Sequence, residues 1–278
     1  MAPAEIDRRF PAREGTRLSE ERFSDDRPAD RTVDHHPLAG YRLYARYFGL
    51  ALVSQTGEEV LCAPPAVTPW RWQRFLVGRA LPLAALLRGY ELLHASAVAF
   101  DERMVAIVGP SGSGKSTLAL HLALRGAPLL TDDVLALARD RDRVHGYPGP
   151  GVISLRESED EVVSAAAGPG GPATVLGWSG KSHLAAPRPE RRLPVDAVYF
   201  VAGEAAGPVI DELTRPDPRL FLSSTLMHEI RSAERLRRQL DVCAALARSA
   251  RHFSLLRARE EPEATAEALA RHVLQGSP

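Results

Sequence analysis

Cysteine is nearly absent from these 278 residues: Cys62 and Cys243 are the only two. Neither sits in a CxxC pair or at a metal-ligand spacing, which argues against a disulfide framework and a thiolate metal centre. An excess of charge is also missing, with 35 Lys and Arg against 35 Asp and Glu. Zero net charge gives no general basic face, so no nucleic-acid partner is expected. Long apolar runs are lacking too. None reaches the about 18 residues of a membrane-spanning helix, so no membrane partner is expected. The opening MAPAEIDRRF has no apolar stretch of signal-peptide length, and the expected compartment is cytoplasmic.

The rest of the composition is that of a globular chain, 45% hydrophobic and 25% charged. Residues 1–38 are rich in Arg, Asp, Glu and Pro and poor in large apolar side chains. They read as a disordered tail, with His35 and His36 in solvent at its end. Residues 39–90 read as a small N-terminal module of strands plus a helix. YRLYARYFGLALVS and VLCA are its strands, around the turn QTGEE. Residues 69–88 are its helix, kinked or broken at Pro82, with Trp70, Trp72 and Phe75 as core packing. Residues 91–278 read as an α/β domain. LLHASAVAF and RMVAIVG are strands joined at Asp101-Glu102, and KSTLALHLALR is a helix. PLLTDDVLAL is a third strand and 194–203 another, while 164–180 is a Gly/Pro-rich loop. From 217 to 275 the pattern is helical, with the charged run Glu229 to Arg238 on a solvated face.

The most specific signal is Gly109, Pro110, Ser111, Gly112, Ser113, Gly114, Lys115 and Ser116, a complete G-x-x-x-x-G-K-[ST] between an apolar strand and a helix that continues through Thr117. Glycines let backbone N–H groups turn inward around phosphate oxygens, and the helix N-terminus adds its positive end. Lys115 is placed to reach the β and γ phosphates and Ser116 to ligate magnesium. Gly109 to Thr117 therefore imply a nucleoside triphosphate, ATP by default, with Mg2+. Asp132 and Asp133 end the next apolar stretch. One carboxylate can hold the metal while the other accepts a proton from a hydroxyl nucleophile. His94 joins them through the hairpin: if Asp101-Glu102 is a two-residue turn, Phe100 pairs with Arg103 and His94 falls opposite Gly109.

ELLHASAV, followed by GPSGSGKSTLALHLALRGAPLLTDD, resembles the catalytic core of the HPr serine kinase/phosphorylase family, closely over 91–133 and loosely to about 205. The resemblance implies an α/β P-loop kinase core with a mixed sheet, HPr kinase/PEP carboxykinase-like, preceded by the strand-rich module and followed by C-terminal helices. It implies Asp132 as the base for an acceptor serine, Asp133 on magnesium with Ser116, and His94 orienting the site, with Lys115 on the phosphates. It further implies an ATP-dependent serine kinase, closest in look to relatives that phosphorylate a precursor peptide of a modified-peptide (RiPP) pathway, such as a lasso peptide; an HPr-like protein is the other acceptor. A homo-oligomer is also implied. The segment from His145 to Asp160 departs from the Arg- and Gly-rich signature of the bifunctional members, so little phosphorolysis is expected. A small-molecule hydroxyl kinase and a nucleotide-dependent ATPase or switch module stay open. Lys181, Arg191 and Arg192 could contact phosphate or acceptor, but read first as surface charge.

Overall fold

The computed structural model describes residues 1–11, 14–22, 28–65, 69–155, 163–164, 167, 174–178, 182–259 and 261–276. The chain divides into two compact units, Met1–Glu91 with Met227–Leu236, and Leu92–Leu226 with Arg237–Pro278.

The first unit holds a five-stranded antiparallel meander: β1 (Thr16–Glu21), β2 (Arg31–His36), β3 (Gly40–Ala45), β4 (Gly49–Val53) and β5 (Val60–Ala63). A short helix, α1 (Pro3–Arg9), precedes it. The described residues of 1–38 thus form α1, β1 and β2, where a disordered tail was expected. Ile6, at 0% exposure, and Phe10, at 1%, stand four residues apart and pack with Leu50, Leu52 and Ala63. The charged residues that suggested disorder are matched across strands. Arg17 lies opposite Asp34 and Glu21 opposite Arg31, and both pairs form ion pairs. His36 is buried in β2, its Nδ1 accepting from the Leu38 and Ala39 N–H groups at 3.2 and 3.1 Å.

The helical stretch expected over 69–88 is α2 (Pro69–Phe75), a π-helical turn (Leu76–Ala80) and α3 (Leu81–Leu87). The π turn lies just ahead of Pro82, at the start of α3. The wider turn accommodates a residue that lacks an N–H, so the helix bulges there without ending. Phe75 is buried, as a core aromatic should be. Arg235 corrects the reading of Glu229 to Arg238 as a wholly solvated face. It is 3% exposed, pairs with buried Glu91 at 3.1 Å and donates to the Ile230 carbonyl at 2.7 Å.

The second unit is mixed α/β. Its strands are β6 (Glu91–Leu93), β7 (Ala95–Phe100), β8 (Arg103–Val108), β9 (Leu129–Thr131), β10 (Leu135–Asp140), β11 (Arg143–Tyr147), β12 (Val152–Leu155), β13 (Thr174–Trp178), β14 (Ser182–Ala185), β15 (Leu193–Ala205), β16 (Val209–Glu212) and β17 (Arg251–Ala258). Nine of them form one mixed sheet, and β12, β14 and β13 form a separate three-stranded one. At the centre β15 runs parallel to both β8 and β17. Side chains alternate along β8: Val105 and Ile107 enter one core with Leu118 and Leu122 of α4 (Lys115–Leu124) and Ala266 and Leu269 of the last helix. Met104, Ala106 and Val108 enter the other with Phe221, Val242 and Leu246. The helices on this second side are α5 (Pro218–Leu222) and α6 (Ala233–Ser249); the last helix is α7 (Pro262–Gln275). Both faces of the sheet are covered, which is why its middle strands read as unbroken apolar runs.

Three assignments from the sequence change here. PLLTDDVLAL is two strands, β9 and β10, and the break falls on the aspartates. Between the last two helices stands β17, a central parallel strand, where the sequence reads as helical from 217 to 275. Of the loop expected over 164–180, Thr174–Trp178 is a strand and most of the remainder lies outside the described residues. Neither Cys62 nor Cys243 forms a disulfide. No helix among the described residues is long and apolar enough to cross a membrane.

Candidate active site

The hairpin β7–β8 sets the site. Its turn is Asp101-Glu102, with Asp101 at φ 52°, and its register runs from Phe100↔Arg103 to Ala95↔Val108. Continuing that register by one residue sets His94 opposite Gly109, where β8 gives way to the glycine-rich loop. The loop closes on Gly114, whose φ of 83° caps α4 at Lys115. A Cβ at Gly109 would stand 2.8 Å from the Ser113 hydroxyl and 3.1 Å from Val201 Cβ, so the loop's close turn requires glycine there. Pro110, Ser111 and Gly112 form the exposed crest.

Lys115 is 5% exposed and donates to the carbonyls of Gly109 and Pro110, 2.9 Å each. Its Nζ also lies 3.2 Å from His94 Nε2. The ammonium can only donate, so Nε2 accepts, and His94 Nδ1 carries the proton it gives to the Asp133 carbonyl at 3.0 Å. The histidine thus links the loop lysine to the aspartate turn.

Asp132 and Asp133 stand in different settings. Asp132 is 8% exposed. Its Oδ1 accepts from Ser96 at 2.6 Å and from Ser116 at 2.8 Å, and its Oδ2 accepts from the Ser154 N–H at 3.4 Å. Burial raises its pKa to about 6, with the Asp133 charge adding to the rise and the hydrogen bonds from Ser96 and Ser116 opposing it. Asp133 is only half-buried. It takes φ 63° at the middle of a three-residue turn in which the Val134 N–H reaches the Asp132 carbonyl at 2.8 Å. A non-glycine residue held there is strained.

Ser96, Ser154 and His183 were not anticipated from the sequence. Ser96 lies two residues past His94, on the hairpin strand. Ser154 and His183 sit opposite each other on β12 and β14, with Ser154 Oγ 2.9 Å from His183 Nδ1. Only the pairing of the three-stranded sheet brings them behind Asp132, and no local motif marks that. Arg191 and Arg192 are surface charges, paired with Glu102 and with Asp140 respectively, and Lys181 lies outside the described residues.

The donors suit magnesium and a triphosphate. Ser116, Asp132 and Asp133 offer oxygen ligands alone, as a hard cation requires. Among the described residues no cluster of three or more His, Cys, Asp or Glu forms a cage, and magnesium typically takes one or two carboxylates together with substrate phosphates. The Ser113 hydroxyl is buried within the loop without a hydrogen-bond partner among the described residues, a donor suited to a phosphate oxygen.

No protein-family model matches the chain, and no curated protein does. Among solved structures it is similar to the HPr(Ser) kinase/phosphatase from Coxiella burnetii, at 16% identity over 66% of this chain and 97% of that one, with a TM-score of 0.34.

Proposed function

We propose that the protein is an ATP- and Mg2+-dependent kinase of HPr kinase type that transfers the γ-phosphoryl group to a serine hydroxyl of a peptide or small protein. The acceptor class includes the precursor peptide of a modified-peptide pathway. The observation that carries the reading is the split pair of aspartates beside the glycine-rich loop. The Asp132 carboxylate accepts from Ser116, the expected metal-ligating hydroxyl, and Asp133 is half-buried with its backbone carbonyl on His94.

The geometry favours an exchange of the roles expected from the sequence. Asp132 belongs with Ser116 on the metal side, because a carboxylate bonded to the loop hydroxyl occupies the Walker-B position. Asp133 is the proton acceptor, since an incoming hydroxyl must reach it. Bound magnesium, with Ser116 and Asp132 as its protein ligands, would neutralise charge across the β and γ phosphates. The loop N–H groups and Lys115 hold the triphosphate. The acceptor oxygen bonds to the γ-phosphorus as the bond to the β–γ bridging oxygen breaks. ADP leaves with that electron pair, and the hydroxyl proton passes to Asp133. His94 fixes the Asp133 turn through its backbone carbonyl and keeps the Lys115 ammonium aligned.

The test is transfer of labelled γ-phosphate from Mg-ATP to serine peptides, to an HPr-like protein and to free hydroxyl metabolites. Phosphoserine on a peptide or protein is expected, with little reversal when the phosphorylated product meets inorganic phosphate. Labelling of a metabolite alone would replace the acceptor class, and ATP hydrolysis without any acceptor would favour a switch module.

A further inference from the structure

The carboxyl ends of β8, β15 and β17 converge on the glycine-rich loop, and the last of them brings a cation that no motif announced. Arg257 pairs with Glu204 across β15 and β17, with Nη2 to Oε1 at 2.7 Å. Its side chain is only 15% exposed. Its Nε is buried with no hydrogen-bond partner among the described residues. Its guanidinium also lies against the loop: a Cβ on Gly114 would stand 2.6 Å from Arg257 Nη1 and 2.9 Å from its Cζ. Glycine at 114 therefore does two things. It allows φ 83° at the entry to α4, and it lets the guanidinium approach the loop backbone. A buried guanidinium N–H without an acceptor is costly, and one Glu204 carboxylate uses only part of a planar fork of five donors.

Building on the nucleotide-binding reading, we infer that Arg257 is a further phosphate-binding residue, supplied by this chain's own β17 to the nucleotide lying in the loop. Nη2 keeps the N–H beside Nε on Glu204, which fixes the plane of the fork, while the N–H groups of the Nη1–Nη2 edge donate to phosphate oxygens near Gly114. Arginine suits this position because its planar donors match phosphate in pairs, which a lysine ammonium cannot do. Glu204 positions the fork and also sets a negative charge near the phosphates, so its neutral isostere keeps the geometry and removes a repulsion.

The experiment titrates Mg-ATP and Mg-ADP against wild type, Lys115→Ala, Arg257→Gln, Arg257→Lys and Glu204→Gln, with a thermal melt of each. Arg257→Gln is expected to weaken both nucleotides by about tenfold or more, with Arg257→Lys recovering part of the loss. Glu204→Gln is expected to bind as tightly as wild type or more tightly. If Arg257 serves only an ion pair between strands, Arg257→Gln and Glu204→Gln lower the melting temperature alike and leave affinity within about twofold, which overturns the inference. Should Arg257→Gln fail to fold, Arg257→Lys and Glu204→Gln decide it: lysine binding as well as wild type, or Glu204→Gln binding more weakly, rejects the phosphate contact. A wild type that binds neither nucleotide removes the phosphate-loop reading itself. A wild type that binds, a weakened Lys115→Ala and an unaffected Arg257→Gln would remove Arg257 alone.

Discussion

Two adjacent aspartates with the same side chain stand in different surroundings. Asp132 accepts from Ser96 and Ser116, while half-buried Asp133 takes a positive φ and its backbone carbonyl accepts from the His94 ring. The roles can be separated by measurement. Asp132→Asn should weaken magnesium-dependent nucleotide binding, because the oxygen shared with Ser116 loses its charge. Asp133→Asn should leave nucleotide affinity near wild type and cut turnover by about a hundredfold or more, the usual scale of a proton-transfer contribution. Asparagine tolerates the left-handed angle, so the fold is retained. The reverse pattern, turnover lost on Asp132→Asn with nucleotide affinity intact, would restore the assignment read from the sequence. His94→Ala should lower turnover through the turn it holds, and a unchanged rate would remove it from the site.

At the scale of elements, α1 is the segment whose importance composition concealed. Ile6 and Phe10 are the apolar residues of its face, and both are buried. Ile6→Ala should destabilise the first unit by about 2–5 kcal/mol, and Phe10→Ala by about 3–5 kcal/mol, measured by denaturant unfolding. Deleting residues 1–35 would also strip β1 and most of β2 from the meander and should unfold that unit; an unchanged melt would return the segment to a tail. The sequence reads well where structure is local. The two-residue hairpin turn, the strand–loop–helix around Gly109 to Thr117 and the strands of 40–62 depend on neighbours within a few residues. It reads poorly where partners are distant. The charges of β1 look like those of a solvated tail until β2 supplies Asp34 and Arg31 opposite them. RHFSLLRA makes β17 only because β15 lies beside it, and Arg257 reaches Gly114 only through that pairing. PLLTDDVLAL shows one apolar run, and the break between β9 and β10 comes from the Asp133 turn, which hydropathy does not register.

For the molecule as a whole, net charge is balanced, so its response to pH rests on a few groups whose protonation differs between folded and unfolded chain. Burial lowers the pKa of His121, His145, His252 and His272; Arg192 lowers His145 further, and Arg251 lowers His272 further. His252 is 4% exposed against the rings of Phe200 and Phe221, and His272 Nδ1 lies 2.8 Å from the buried Tyr199 hydroxyl. The unfolded chain protonates these imidazoles near the ordinary value of 6.5, while the folded one resists until lower pH. The unfolded state therefore binds more protons as pH falls through that region, and the stability these groups contribute, fully present above it, is progressively lost. Asp132 acts in the opposite sense, since a raised carboxyl pKa favours the folded state on acidification, but its window lies between 3.8 and about 6. Between about pH 7.5 and about pH 6 the histidines dominate, and the melting temperature should fall across that interval. His252→Gln removes one titrating ring while keeping a polar side chain, so its melting temperature should fall less steeply over the same interval, even if it starts lower. A variant with the same slope as wild type would show that His252 titrates alike in both states, and a wild-type melting temperature that rises on acidification would show that carboxylates and not histidines set the balance.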